Sequence, residues 1–268
     1  MPLLKVQLNI EMLNKQMGAD IFLTTTIELY NTSCFEYLKT IESNSVDLVL
    51  IDPPYEVSRE TNFESTPVNG DDTDRFRISM DFGDWDNNFT GLDTVVKEAY
   101  RILRKGGTLI CFYDLWKITT LKEYFEEAKF KQIRFLEWVK TNPVPVNSKI
   151  NYLTNSREIA VLGVKVGKPT FNSEYDKGIY NYPICHDKGR FHPTQKPQSL
   201  IEELIKKHSN EGDLVVDCFS GSGTTAAACV KTNRNFKGCE ISEEYYKQSI
   251  VRIEDMNEDN NFTFIRDI

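Results

Sequence analysis

Two hydrophobic rhythms alternate along the chain. Val46–Ile51 (VDLVLI) is an almost unbroken apolar run, the pattern of a strand buried on both faces of a parallel sheet. Leu214–Asp217 and residues 236–240 read the same way, and the β-branched stretch 22–30 (FLTTTIELY) reads as a further strand. Helical spacing recurs between them, at residues 35–41, 92–105, 115–128, 198–208, 223–231 and 243–255. Gly106-Gly107 after Lys105 is a helix stop signal, and Asp114 is placed to cap the helix that follows. Residues 108–112, 130–139 and 158–164 bring the predicted strands to seven. No helix separates 130–139 from 158–164, so these two are expected to form an antiparallel hairpin at one edge. The pattern predicts a single α/β domain over residues 1–268, a doubly wound and mostly parallel sheet. Three stretches lack a period: an acidic excursion at 56–90, an Asn- and Pro-rich loop from 140 to 157, and a segment at 167–190 that carries Gly, Pro, Asn and Tyr. The acidic tail is expected to end in a short extended piece.

Composition narrows the picture. Apolar residues make up 40% of 268, enough for a core, and no run of apolar residues is long enough to span a membrane. The first twenty residues lack the apolar stretch of a signal peptide. Six cysteines are scattered without a CxxC pair, so buried reduced thiols in a cytoplasmic protein are expected. Cys185-His186 has no second ligand pair, and no metal is expected. The net charge of −8 argues at first against a polyanionic partner, but the charge is uneven. Residues 138–200 carry nine basic and four acidic side chains, whereas 56–90 carry three and nine, and 209–268 six and eleven. A nucleic acid would be confined to the basic middle segment.

Two local patterns carry chemistry. The first runs Asp217-Cys218-Phe219-Ser220-Gly221-Ser222-Gly223-Thr224, a strand entering a glycine turn that opens a helix. Glycines there permit a tight turn and close approach of a ligand, and Glu240 at the end of the next strand is placed to accept ribose hydroxyls. A plain packing turn would show the same glycine spacing. Asp217 weighs against a dinucleotide, because a carboxylate beside a pyrophosphate is repelled. It suits a cationic ligand such as S-adenosylmethionine, which has a sulfonium and an α-amino group.

The second pattern is Asp52-Pro53-Pro54-Tyr55, directly after the strand Val46–Ile51. Two prolines fix a rigid extended corner at the sheet edge where α/β proteins bind ligands. The Asp52 carboxylate and the Pro53 carbonyl are two acceptors for the two hydrogens of an exocyclic amine, and Tyr55 is an aromatic wall for a base taken out of its stack. A third element, His192-Pro193-Thr194-Gln195-Lys196-Pro197, precedes the glycine loop.

Together these three elements, in the order corner, HPTQKP, glycine loop, resemble the β class of amino DNA methyltransferases, over roughly residues 27–253. The resemblance implies a seven-stranded methyltransferase sheet with a circularly permuted motif order. It implies S-adenosylmethionine as cofactor, held by Asp217, Phe219, Gly221, Gly223, Thr224 and Glu240, with Lys196 near its methionine part. His192 and Thr194 would shape the loop around Lys196. Asp52, Pro53 and Tyr55 take the catalytic role. An Asp usually found near the cofactor's adenine is replaced by Ser33, which leaves that hydroxyl and the Cys34 backbone N–H for the ring. Lys140 and Asn142 match a segment near the target base. Target recognition is expected within 163–191, with Lys165, Lys168, Lys188 and Arg190 on DNA and Tyr175, Tyr180 and Tyr182 among them. The expected product is N6-methyladenine in double-stranded DNA, in a bacterial or phage setting, with a homodimer partner and a cognate restriction endonuclease as candidate partners. The alternatives are a cytosine-N4 enzyme, an RNA adenine methyltransferase, a non-catalytic DNA-binding subunit and a nicotinamide oxidoreductase. The cytosine enzymes commonly begin the corner with Ser. A dead subunit typically loses one of the motifs, and the oxidoreductase fails on Asp217.

Overall fold

Successive side chains of a strand point to opposite faces, and among the described residues each face of the sheet meets three helices. The structure, a computed structural model, describes residues 24–54, 89–143, 154–185, 195–257 and 262–267. In chain order the elements are β1 (Thr25–Asn31), α1 (Cys34–Thr40), β2 (Val46–Ile51), α2 (Leu92–Ile102), β3 (Leu103–Tyr113), α3 (Ile118–Glu127), β4 (Lys131–Lys140), β5 (Arg157–Val164), β6 (Ile179–Tyr182), α4 (Gln198–His208), β7 (Leu214–Asp217), α5 (Thr224–Thr232), β8 (Asn235–Glu240), α6 (Glu243–Asn257) and β9 (Phe262–Arg266). The strands form one sheet in the order β6-β4-β5-β3-β2-β7-β8-β1-β9. All neighbouring pairs are parallel except those of β5, which runs against both β3 and β4.

Parity along each strand decides which core a side chain joins. Leu48 and Leu50 of β2 pack with α4, α5 and α6, whereas Val49 and Ile51 pack with α1, α2 and α3; Val46, before a register shift in the pairing with β3, joins the second core out of alternation. The sheet is therefore doubly wound, as its apolar strands predict. β2 and β7 lie side by side, Leu48 opposite Val215 and Val49 opposite Val216, although well over a hundred residues separate them in sequence. That pairing brings the two motif-bearing strand ends together.

Four expectations change. The described sheet has nine strands rather than seven, because β6 and β9 pair with outer strands. β6 had no legible period: it is four residues long, and alternation over so short a run is not distinctive. The predicted hairpin is present as β4 and β5, but β6 lies outside β4 and takes the edge. The helix expected over 92–105 ends at Ile102. Gly106-Gly107 forms a bulge inside β3 instead, where Val46 faces Leu103 but Leu48 already faces Thr108. Gly106 has φ +83°, and its amide donates to the carbonyls of Lys165 and Val166. Asp114 does cap, but it caps a single 3-10 turn at Leu115–Lys117, its Oδ1 accepting from the Trp116 amide at 2.8 Å.

Candidate active site

The same parity builds the site. Asp52 follows Leu48 and Leu50, Asp217 follows Val215, and Glu240 follows Phe236 in alternation, all toward the face of α4, α5 and α6. On the other side of β2, Phe112 follows Ile110 on β3. Lys140 follows Leu136 and Trp138 on β4, and Glu158 precedes Ala160 and Leu162 on the reversed strand β5. One row thus crosses the sheet's carboxyl end, from Lys140 through Glu158, Phe112, Asp52 and Asp217 to Glu240. A pocket opens over the row, and Asp52, Pro53, Phe112, Lys196, Asp217 and Glu240 are among its lining residues.

The glycine loop has the local geometry that its residues require. Gly221 (φ +49°) and Gly223 (φ +71°) both lie in the left-handed region, and Gly223 caps α5. A Cβ on Gly223 would approach the Ser249 Cβ to 3.0 Å, so this glycine serves the turn and the packing on α6. Gly221, Ser222 and Thr224 line the pocket. Asp217 holds the loop from beneath, Oδ1 accepting from the Phe219 amide at 2.9 Å and Oδ2 from the Thr225 hydroxyl at 2.6 Å. Burial lifts its carboxyl to about 7, against those two donors. Glu240 accepts from the Gly221 amide at 2.7 Å and from the Ser242 amide at 2.8 Å, and burial raises its pKa too.

Phe35 stacks on Phe89 with centroids 6.0 Å apart, and Phe89 meets Phe219 edge-on at 5.3 Å, so three rings wall one side. Ser33 caps α1, its Oγ accepting from the Glu36 amide at 3.3 Å, and Cys34 beside it lines the pocket. Three buried polar atoms of the lining have no partner among the described residues: Asp52 Oδ1, Gln195 Oε1 and Ser220 Oγ. Such atoms are unfavourable unless a ligand satisfies them. Flat aromatic walls, a ribose-side carboxylate and waiting polar groups fit S-adenosylmethionine. Glu240 would hold the ribose, the Phe35–Phe89–Phe219 wall the adenine ring, and Asp217 the cationic end.

Lys196 is buried and bridges two carboxylates. It pairs with Asp52 Oδ2 and, at 3.1 Å, with Glu158 Oε2, while its Nζ sits 5.0 Å from the Phe112 ring centroid. Glu158 Oε1 in turn holds Lys140 at 2.8 Å, and Lys140 lies over the Trp138 ring. Burial raises the Asp52 carboxyl above the usual carboxylate range, with Lys196 opposing and Glu158 adding to the shift. Burial works the same way on Glu158, but Lys196 and Lys140 together overcome it and hold that carboxyl low.

The expected DNA contacts separate. Because β5 runs against its neighbours, its end at Val164 faces Thr108, near the amino ends of the parallel strands. Lys165 and Lys168 therefore lie at the end of the sheet away from Asp52, about 20 Å off at 3.3 Å per residue. Lys165 Nζ donates to the Asn44 side chain and to the carbonyls of Arg101 and Leu103, which closes the carboxyl end of α2. Tyr180 is buried, the Tyr182 hydroxyl donates to Glu203 at 2.5 Å, and exposed Tyr175 precedes β6 at the far end. The direction of β5 sets the place of the two lysines, whereas Tyr180 is taken up by the face of β6 that packs on the core. At the site end, Asn142 Oδ1 accepts from the Ile184 amide at 2.6 Å and ties β4 to the segment after β6. Trp116 is 90% exposed on the turn after β3, at that same end. Tyr55, Lys188, Arg190, His192 and Thr194 lie outside the described residues, as does most of the 56–90 excursion. Lys165→Ala is expected to lower stability by about 1 kcal/mol, the scale of a cation at a helix carboxyl end, and to leave DNA affinity unchanged, as is Lys168→Ala. Thermal unfolding and a salt titration of DNA binding read the two effects, and a flattened salt slope in either variant would place the DNA at the wrong end.

Sequence reading missed Glu158, Phe35 and Phe89. Glu158 was legible only as the polar start of an apolar strand, and Phe35 only as an apolar helix position. Phe89 fell inside a stretch read as loop.

Comparison with known proteins agrees with this geometry. The sequence model of the DNA methylase family of N6 and N4 methyltransferases matches residues 46–251. The type II methyltransferase M2.DpnII of Streptococcus pneumoniae is 29% identical over 260 residues, covering 87% of this chain and 91% of that protein. M2.MboI of Moraxella bovis, also a type II methyltransferase, is 28% identical over 243 residues, covering 82% and 85%. The crystal structure of M1.HpyAVI with S-adenosylmethionine superposes with a TM-score of 0.63 at 28% identity, covering 84% of this chain and 99% of that one. The cytosine-N4-specific PvuII methyltransferase shares the fold, with a TM-score of 0.64, at 16% identity over 90% of this chain and 96% of that one. No described helix is long and apolar enough to cross a membrane. With the corner beside the glycine loop and the family match spanning both, the chain belongs to the DNA methylase family and is an S-adenosylmethionine-dependent DNA methyltransferase.

Proposed function

We propose that the chain methylates the exocyclic N6 amine of adenine in a base extruded from double-stranded DNA. The observation that carries this reading is the buried Oδ1 of Asp52, an acceptor without a partner among the described residues, at a Pro-Pro corner of the pocket. An aromatic amine is a poor nucleophile because its lone pair is delocalised into the ring. Asp52 Oδ1 and the Pro53 carbonyl accept its two hydrogens and favour a pyramidal nitrogen. When bound, S-adenosylmethionine supplies a methyl group on a positive sulfur. The nitrogen lone pair, so oriented, would take that methyl group, the C–S bonding electrons remaining on sulfur. The surplus N–H proton then leaves to Asp52 or water. Tyr55 stacks on the base in this reading.

Asp at the first position of the corner favours adenine over cytosine, where Ser is common. The fold does not discriminate, since a cytosine-N4 enzyme shares it. The DNA face in this reading is the carboxyl end of the sheet, with exposed Trp116 and with Lys140 and Asn142; Lys188 and Arg190, outside the described residues, are the sequence candidates for phosphate contacts. The names of the type II relatives support a restriction–modification setting; a bacterial or phage cytoplasm, a cognate endonuclease and a second copy of the chain as partners belong to the same reading. Nucleoside mass spectrometry of plasmid from cells expressing the protein is expected to give N6-methyladenine. N4-methylcytosine, with no N6-methyladenine above the empty-vector control, would overturn the choice of base and leave the family intact.

A further inference from the structure

The four charges Lys140, Glu158, Lys196 and Asp52 alternate in sign, each paired with the next, across β4, β5, the segment before α4 and the end of β2. Lone ion pairs at a surface contribute little, but this chain of charges leads inward. Lys196 is buried, and the last carboxylate keeps one buried oxygen without a partner among the described residues. A carboxylate rotates freely about its last bond unless one oxygen is fixed. Lys196 fixes Oδ2, and Glu158 fixes Lys196.

We propose that Glu158 is a positioning residue for methyl transfer: acting through Lys196, it locks the Asp52 carboxylate so that Oδ2 is tied and Oδ1 stays available to the target amine. The inference rests on Asp52 receiving that amine, but it is indifferent to whether the base is adenine or cytosine. Glu158 does not touch the substrate in this role. It has a second effect on the same carboxylate. By drawing part of the Lys196 charge to itself, and by its own negative charge, it leaves Asp52 more basic than a carboxylate with sole possession of a lysine. Lys140 keeps Glu158 ionised, and Trp138, closed over by β6, supports Lys140.

Among the described residues, the other titratable groups that feel the Asp52 charge are Asp217 on β7 and the Cys111 thiol on β3, each raised by it. Asp217 is expected to affect cofactor binding, so its titration is followed separately as affinity for S-adenosylmethionine at each pH.

The test uses Glu158→Ala and Glu158→Gln in the full chain. Single-turnover methylation of duplex DNA at saturating S-adenosylmethionine is measured from acid to neutral pH, whichever base carries the product. Glu158→Ala is expected to slow methyl transfer by about 10- to 100-fold, the loss that follows misplacing a reacting group by on the order of 1 Å. Glu158→Gln, which keeps an acceptor for Lys196, is expected to lose less. In both variants the acidic limb of the rate profile moves to lower pH, because the negative charge of Glu158 no longer opposes ionisation of Asp52 or draws on Lys196, while affinity for S-adenosylmethionine stays within about twofold. A merely structural role would lower the melting temperature without moving that limb. An unchanged rate, or a slower rate with the limb in its original place, overturns the proposal. If Glu158→Ala does not fold, the limb of Glu158→Gln decides by itself. If Asp52→Ala remains active, the reading of the corner fails and the role of Glu158 falls with it, whereas an inactive Asp52→Ala beside Glu158 variants of unchanged rate or unmoved limb overturns the role of Glu158 alone.

Discussion

Replacing Asp52 with alanine is expected to leave S-adenosylmethionine binding largely intact while methyl transfer falls by about 10³-fold, within the range for loss of a positioned acid–base group. The separation follows from the geometry. Asp52 ends β2, whereas the loop expected to hold the cofactor is built from β7, β8 and their turns. The variant removes the acceptor for the amine and leaves the Gly221–Glu240 and Asp217–Phe219 hydrogen bonds in place. It also leaves Lys196 with Glu158 as its remaining carboxylate partner among the described ion pairs, so the lysine is not stranded. A pH dependence accompanies the wild-type reaction. In the proposed function the ionised carboxylate is the acceptor, so turnover is expected to fall as Asp52 protonates. Burial raises its pKa, so the fall on acidification begins above the pH at which an ordinary aspartate takes up its proton. Rapid-quench kinetics with calorimetry of cofactor binding tests both statements. A rate within tenfold of wild type would remove Asp52 from the chemistry.

Glu240→Ala is expected to weaken S-adenosylmethionine binding by about 10- to 150-fold, from the roughly 1.5–3 kcal/mol of a hydrogen bond to a charged group. Glu240 acts twice at this position. Its carboxylate lines the pocket where ribose hydroxyls would donate, and it also gathers the Gly221 and Ser242 amides from the two turns flanking the cofactor site. Alanine loses both functions. Glutamine keeps one acceptor oxygen and presents an NH2 where an amide N–H now donates, so its loss should lie between wild type and alanine. Calorimetry on the folded variants separates the cases. Unchanged affinity in Glu240→Ala would put the ribose elsewhere.

Local order decided how much of the protein was legible before its fold was known. The apolar run Val46–Ile51 followed by Asp52-Pro53-Pro54, and the strand–glycine–helix passage at 214–232, are complete within a few residues of sequence. Strand burial, proline stiffness and glycine conformations act over that range, and both elements lie where their patterns indicated. The doubly wound class followed from the alternation of apolar strands and amphipathic helices. Pairing partner and strand direction depend instead on whole faces being buried at once. Only the tertiary structure could therefore set β2 beside β7, or add β6 beyond the hairpin. Only it could turn β5 so that Lys165 and Lys168 point away from the site while Glu158 points into it. The same long-range choice gathers Lys140, Glu158, Lys196 and Asp52 into one chain of charges. Four side chains on separate segments share an end and a face because strand order and parity put them there, and no window of sequence contains that information.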